Sequence, residues 1–192
     1  VTPFILLAQS FFPVKVEKKW GLINASGQIA VKPVYDAIGD FKHFGYAVMQ
    51  RAGRVGLLNQ RGEEIVPPKF DDLKVLDSTL ISVMDLGEWM VVNLAGKVVL
   101  KKGYQRVQVW PGGYIAFEKN RKWGLVRRDG SLISEPIYDD IQPYGGKFFI
   151  TRKGESSGLL SAVGGEILAP VANEIKIFND SLFFFRSGPS WG

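Results

Sequence analysis

Lys19-Trp20-Gly21-Leu22-Ile23-Asn24 and Lys122-Trp123-Gly124-Leu125-Val126 repeat one phrase, and the fold follows from how that phrase recurs. With Trp20-Gly21 as anchor, Val55-Gly56 lies 35 residues on, and Trp89-Met90, Trp123-Gly124, Ser157-Gly158 and Trp191-Gly192 follow at steps of 34. Seven residues after each complete anchor stands Gly27, Gly62, Gly96, Gly130 or Gly164. Thirteen after stand Pro33, Pro68, Lys102, Pro136 and Pro170, and fifteen after stand Tyr35, Phe70, Tyr104, Tyr138 and Ala172. Sixteen after stand Asp36, Asp71, Gln105, Asp139 and Asn173. About twenty-one after, an apolar column holds Phe41, Leu76, Trp110, Tyr144 and Phe178. Columns held in phase over five copies mark an internal repeat. The chain is read as a single array, 1–192, with a partial repeat at 1–19, repeats starting near 20, 55, 89, 123 and 157, and a truncated one at 191. Phe4, Phe11 and Phe12 fall near the apolar positions expected of that first partial unit, so a piece of a longer array is expected. A rival reading takes the stretch from Phe4 to Ser10 as the end of a secretory signal, although no basic n-region precedes it.

The stretch from Tyr138 shows what one unit folds into. A short strand runs from Tyr138 to about Tyr144, and Gly145-Gly146-Lys147 turns the chain into Phe148-Phe149-Ile150-Thr151-Arg152, a β-rich run. Gly154-Glu155-Ser156 turns again into Ser157-Gly158-Leu159-Leu160, and the turn at Gly164 leads to Glu166-Ile167-Leu168-Ala169, which Pro170 is expected to stop. Runs of four to six residues between Gly-bearing turns are a hairpin signature. No sustained 3.6-residue period occurs, so helices should be scarce. The predicted fold is all-β: an array of ~34-residue four-stranded antiparallel meanders, β-propeller-like, with a β-hairpin solenoid as the competing architecture. Pro at offset thirteen cannot donate to a ladder, so it belongs on an edge strand or in the connection to the next unit.

Composition bounds the function. The 192 residues carry 24 Lys and Arg against 19 Asp and Glu, a net charge of +5, with no Cys and one His. Disulfides, thiolate metal sites and Cys nucleophiles are therefore excluded, as is most triad chemistry within the chain. No apolar run reaches the ~18 to 20 residues of a membrane helix. No HExxH, phosphate-loop or dinucleotide fingerprint occurs. No catalytic residue, metal or cofactor is expected.

The Lys-Trp-Gly-Leu phrases, the Gly seven residues on and the Pro-x-Tyr-Asp step beyond resemble the bacterial WG-repeat family. Val55 and Ser157 stand in place of Trp, Met90 in place of Gly, and Lys102-Gly103 in place of the Pro step. The resemblance implies a bacterial, non-catalytic repeat module, part of a larger or envelope-associated protein, and no defined ligand.

Several residues invite a functional story. The Trp column is expected in the core, since Val55 could not stack a sugar face. The Asp column is too poor in oxygens for a calcium site, which takes six to eight, and is expected to form Asx-type turns after Pro. Carboxylate pairs for glycoside hydrolysis can be drawn from any all-β chain with 19 acids, so they carry no signal. Lys42, His43 and Phe44 belong to the one loop with an extra residue and are candidate binding residues. The end of the meander that carries its second turn and the Pro connection collects Lys18, Lys19, Lys32, Arg54, Lys69, Lys101, Lys102, Arg121 and Lys122. Of these, Lys18, Lys19, Arg121 and Lys122 complete the candidate set. Such a face attracts an acidic protein, an envelope-complex subunit among them. Nucleic acid is not expected, because no aromatics interleave with the charge. Asp77-Ser78-Thr79 and Asp180-Ser181-Leu182 resemble O-glycosylation acceptors of some exported proteins, which favours the periplasm or cell surface over the cytoplasm. The resulting reading is a non-catalytic module for protein–protein interaction or scaffolding, with a glycan-binding module as the alternative.

Overall fold

The computed structural model describes residues 11–42, 44–179, 182–188 and 190–191, the last two by backbone alone. Every regular element among them is a strand, and every ladder between strands is antiparallel to its chain neighbour. The first sheet holds β1 (Phe12–Val16), β2 (Lys19–Ile23) and β3 (Ile29–Tyr35). The second holds β4 (Ala37–Ile38), β5 (Tyr46–Arg51), β6 (Arg54–Asn59) and β7 (Glu64–Phe70), and the third β8 (Asp72–Val75), β9 (Leu80–Asp85), β10 (Glu88–Asn93) and β11 (Val98–Leu100). The fourth holds β12 (Arg106–Trp110), β13 (Tyr114–Lys119), β14 (Lys122–Arg127) and β15 (Leu132–Tyr138). The fifth holds β16 (Asp140–Tyr144), β17 (Phe148–Lys153), β18 (Ser156–Ser161) and β19 (Glu166–Ala172), and the sixth β20 (Glu174–Ile177), β21 (Phe183–Ser187) and β22 (Ser190–Trp191). Strand order within each sheet is sequential, which is the meander of a propeller blade. The anchor phrase lies on the second strand of the three-stranded first sheet and on the third strand of each four-stranded sheet, so one sequence repeat begins in one sheet and ends in the next.

The chain divides into two compact units, Val1–Val98 and Val99–Gly192, with the division inside β11. In the first unit, Leu22, Tyr35, Met49 and Leu58 form one core cluster, and Leu57, Val66, Phe70, Leu73, Ile81, Val83 and Val92 another. In the second unit, Trp123, Leu125, Tyr138, Ile141, Phe149 and Leu160 pack together, with Trp110 stacked on Phe149 at a centroid distance of 5.9 Å. Burial alternates on outer strands such as β7 and β15, whereas β9, β13 and β14 each bury four residues in a row because both of their faces are covered.

The anchor glycines explain the motif. Ideal Cβ atoms built on Gly21, Gly56 and Gly158 would stand 2.4, 2.4 and 2.7 Å from the carbonyl oxygens of Val31, Val66 and Leu168 on the outer strands, and one on Gly124 would stand 2.8 Å from that of Ser134. At each of these glycines the ladder is irregular: Trp20 faces Tyr35 while Leu22 faces Val31, so two residues of β2 oppose four of β3. The same irregularity recurs at Val55 to Leu57, Trp123 to Leu125 and Ser157 to Leu159. The extra residues of the bulge press into the space a side chain would fill. The bulge carries the Pro, so Pro170 does not stop its strand as expected. β19 runs on to Ala172, since a bulged edge strand tolerates a missing amide donor. In the third sheet Met90 occupies the Gly position, and β11 spans three residues where the other outer strands span seven.

Turn glycines behave as the repeat predicts. Gly27, Gly62, Gly96, Gly130 and Gly164 have φ between 75 and 103°. Asn24, Asn59 and Asn93 close these hairpins, their side-chain oxygens accepting backbone N–H groups of Gln28, Glu63 and Lys97 at 2.9 to 3.1 Å.

Candidate functional site

Most of the residues that recur in phase are committed to the scaffold. Trp123 is buried, and Trp20 and Trp89 are half-buried. A cation caps each indole: Lys15 over Trp20 at 5.6 Å, Lys74 over Trp89 at 4.6 Å and Arg106 over Trp123 at 5.4 Å. Arg106 also pairs with Glu118, which is almost fully buried, and that hydrogen bond holds the Glu118 carboxyl below its usual range.

The Asp column joins successive sheets and does not form the Asx turns expected of it. Asp36, between β3 and β4, accepts from Lys19 Nζ of the first sheet at 2.5 Å and from the Ala52 N–H in the β5–β6 turn at 2.7 Å. Asp71 accepts from Arg54 and from the Leu86 N–H, and Asp139 from Lys122 and from the Gly154 N–H. Gln105 and Asn173 keep the turn contact, accepting from the N–H groups of Asn120 and Gly188. Hydrogen bonds from Lys19 and Lys122 lead the causes that hold the Asp36 and Asp139 carboxyls below their ordinary range, and the turn N–H groups add to them. The next residue inward, Tyr35, donates its hydroxyl to Glu64 at 2.6 Å, and Tyr138 donates to Glu166 at 3.0 Å. Burial first, and then these carboxylates, push both phenols up to about 12.

The candidate cations therefore divide. Lys19 and Lys122 hold the Asp column. Lys18 and Arg121 sit in the β1–β2 and β13–β14 turns, exposed and without an ion pair among the described residues. The Arg121 turn is left-handed at both Asn120 and Arg121 (φ 53 and 62°), the conformation of a tight two-residue hairpin.

The loop before β5 is different in kind. His43 lies outside the described residues, as do residues 1–10 and the Asp180-Ser181 pair. Lys42 pairs with Asp40 at 2.8 Å, both side chains exposed, and each group's charged form is favoured by the other. Phe44 has φ 64° and is 57% exposed. A bulky residue in the left-handed region is an outlier that costs ~1–2 kcal/mol. Gly45 follows at φ 79°, and the Gln60 side chain lies where a Cβ on it would point. Beside this loop lies a groove of about 380 Å³, lined by Asp40, Lys42, Tyr46, Val48, Leu73 and Lys74. Tyr46 fixes one wall by donating to the Ser78 carbonyl at 3.1 Å. Ser78 is exposed in a turn that Asp77 closes on the Thr79 and Leu80 N–H groups. The extra residue in the repeat was the signal for this loop. The groove beside it had no sequence signal, since it depends on Leu73 and Lys74, some thirty residues on.

Among the described residues no cluster of three or more His, Cys, Asp or Glu is placed to hold a metal ion. Among the described residues no helix is long and apolar enough to cross a membrane.

Sequential four-stranded meanders linked by phased Asp contacts define a β-propeller-like repeat protein. The chain belongs to the WG containing repeat family, whose model matches residues 20–54, 56–77, 89–123 and 123–155. No curated protein matches it. Solved structures that resemble it include a eukaryotic initiation factor, at 14% identity over 96% of this chain and TM-score 0.47. Others are Hsv2p of Kluyveromyces lactis, at 10% over 93% and TM-score 0.36, and the WD40 β-propeller domain of Doa1, at 10% over 94% and TM-score 0.30. The chain spans 60%, 68% and 72% of those three chains.

Proposed function

We infer that this chain is a non-catalytic module that binds another protein, as an interaction or scaffolding element of a larger assembly. Its contact surface is the loop of Lys42 and Phe44 with the adjoining groove. The observation that carries the reading is Phe44: a large apolar side chain, 57% exposed, held at φ 64° in the turn before β5. Left-handed residues also occur in other turns of the chain, but Phe44 is the aromatic one among those described, and backbone strain concentrates at ligand-contact sites. The acids that could have served chemistry, Asp36, Asp71, Asp139, Glu64 and Glu166, are engaged in linking sheets. A glycan-binding role has less support, because the indoles of Trp20, Trp89 and Trp123 are capped by cations. Lys18 and Arg121 favour a partner with acidic patches, drawn in by screened long-range attraction. A bacterial envelope assembly is the setting this reading favours.

The test is a photo-crosslinking residue at position 44, with a second at Val163, which is 85% exposed in a turn of the fifth sheet. The expected result is a discrete crosslink from position 44 in the native cell, weakened by salt in extracts and absent from position 163. Equal, diffuse labelling from both positions would refute the assignment.

A further inference from the structure

Four of the sheets bring the outer strand in against an anchor glycine, and each of those strands is seven residues long. The third sheet breaks the pattern. Met90 fills the glycine position, Lys102-Gly103 replaces the Pro step, and β11 is three residues long. A side chain at this position leaves no room for a bulge of the kind that the other outer strands press against their glycines. Within the first unit this leaves a cleft of about 420 Å³, inside the range of ligand clefts, roughly 300 to 1,000 Å³. Most of its lining residues are apolar, among them Ile65 and Phe70 from β7, Met90 and Val92 from β10, Leu94 from the turn, and Val98, which is 45% exposed, while polar atoms contribute as much of its surface as apolar ones.

Two features narrow what can sit there. The β7 wall contains Pro67-Pro68, which offer no N–H groups, so an incoming chain cannot be held as an added strand along that edge. Recognition must come from a side chain lowered into the cleft and from charge at its rim. The rim charge is positive. Lys69 lines the cleft, with its Nζ 5.1 Å from the Phe70 ring centroid. Lys97 stands exposed between the lining residues Gly96 and Val98. Neither lysine has a carboxylate partner among the described residues, whereas Asp85, the acid of the lining, is already engaged within the fold.

We propose that the cleft beside Met90 docks an acidic segment of a partner protein by burying one of its apolar side chains, with Lys69 and Lys97 pairing to the flanking carboxylates. This rests on the reading of the chain as an interaction module and adds a second contact, separate from Phe44. The apolar anchor supplies affinity through buried area, and the two lysines supply specificity and association rate.

The chain has three methionines, so methyl labelling gives one signal at the cleft, Met90, and an internal control in fully buried Met49. The probes are synthetic decapeptides with one central Phe, Leu, Ile, Trp or Tyr between Asp and Glu residues. Matched peptides carry Lys flanks or a central Ala. The expected result is a saturable shift of the Met90 methyl with at least one acidic, anchored peptide and none with the matched controls. Lys69→Glu with Lys97→Glu should weaken binding about tenfold. Ala95→Trp, an exposed position in the lining, should abolish it with the Met49 signal in place. The proposal is overturned if no anchored acidic peptide moves Met90 at millimolar concentration. It is also overturned if Lys-flanked peptides act equally, or if Ala95→Trp binds as wild type does. Crosslinking from position 44 in the Ala95→Trp chain reports separately on the loop, so loss of one contact does not read as loss of the other.

Discussion

Gly56→Ala tests why the repeat needs glycine after its Trp. The new methyl carbon would lie 2.4 Å from the Val66 carbonyl oxygen, 2.8 Å from the Pro67 carbonyl carbon and 2.6 Å from Met49 Cε. Ordinary carbon contacts lie near ~3.5 to 4.0 Å, so the bulge of β7 must retreat by roughly 1 Å. Met49 can swing aside, but the backbone of Val66 and Pro67 cannot move without loosening the β6–β7 ladder. Overpacking of this kind costs about 3 kcal/mol. For a chain of this size that lowers the melting temperature by roughly 6 to 12 °C. Gly53→Ala is the control: φ there is 75° and nothing lies within 4 Å of the added carbon, so only the left-handed backbone is penalised, by about 1 kcal/mol. Calorimetry of both variants, with amide exchange along β6 and β7, gives the answer. If Gly56→Ala melts as high as Gly53→Ala, close approach of the outer strand is not what the glycine serves.

Trp123→Ala should cost about 3 to 5 kcal/mol by leaving a core cavity, and Trp20→Ala less, because Trp20 is only half-buried; thermal melts rank the two. Thr151→Val should stabilise by about 1 kcal/mol, since the Thr151 hydroxyl is buried without a partner, and urea denaturation measures it. Stability should also fall at both ends of the pH scale. The Asp36 and Asp139 pKa values are depressed in the fold, so their contribution is present above the ordinary value of 3.8 and is lost as pH falls below it. The Tyr35 and Tyr138 values are raised, so theirs is present below 10 and is lost as pH rises from 10 through about 12. Asp36→Asn should reduce the acid loss and Tyr138→Phe the alkaline one, as melting profiles against pH would show.

Local chemistry was legible and long-range contact was not. The turn glycines, the meander and the buried Trp123 follow from residues that act within one hairpin, and spacing alone reveals them. Pro170 misled because its strand runs three residues beyond the Ala169 end that a missing donor suggests, and the bulge that accommodates it forms against Gly158 on another strand. The Asp column misled because its partners lie 15 to 17 residues away on either side, beyond the reach of turn rules. For the same reason Lys19 and Lys122 read as surface charge until Asp36 and Asp139 were placed beside them. Met90 was visible as a departure from the repeat, but the cleft it opens depends on β7, some 25 residues earlier.

The central claim is that the phased residues build the fold and that function lies in what the repeat leaves free, Phe44 above all. Phe44→Gly separates the two. Glycine adopts φ 64° without penalty, so the variant should gain about 1 kcal/mol of stability. With a crosslinking residue at Lys42, the same variant should lose capture of the partner found from position 44. A chain that melts higher and crosslinks less is the predicted result. A chain that melts higher and crosslinks as strongly as wild type would show that the Phe44 side chain contacts nothing, and would contradict the account.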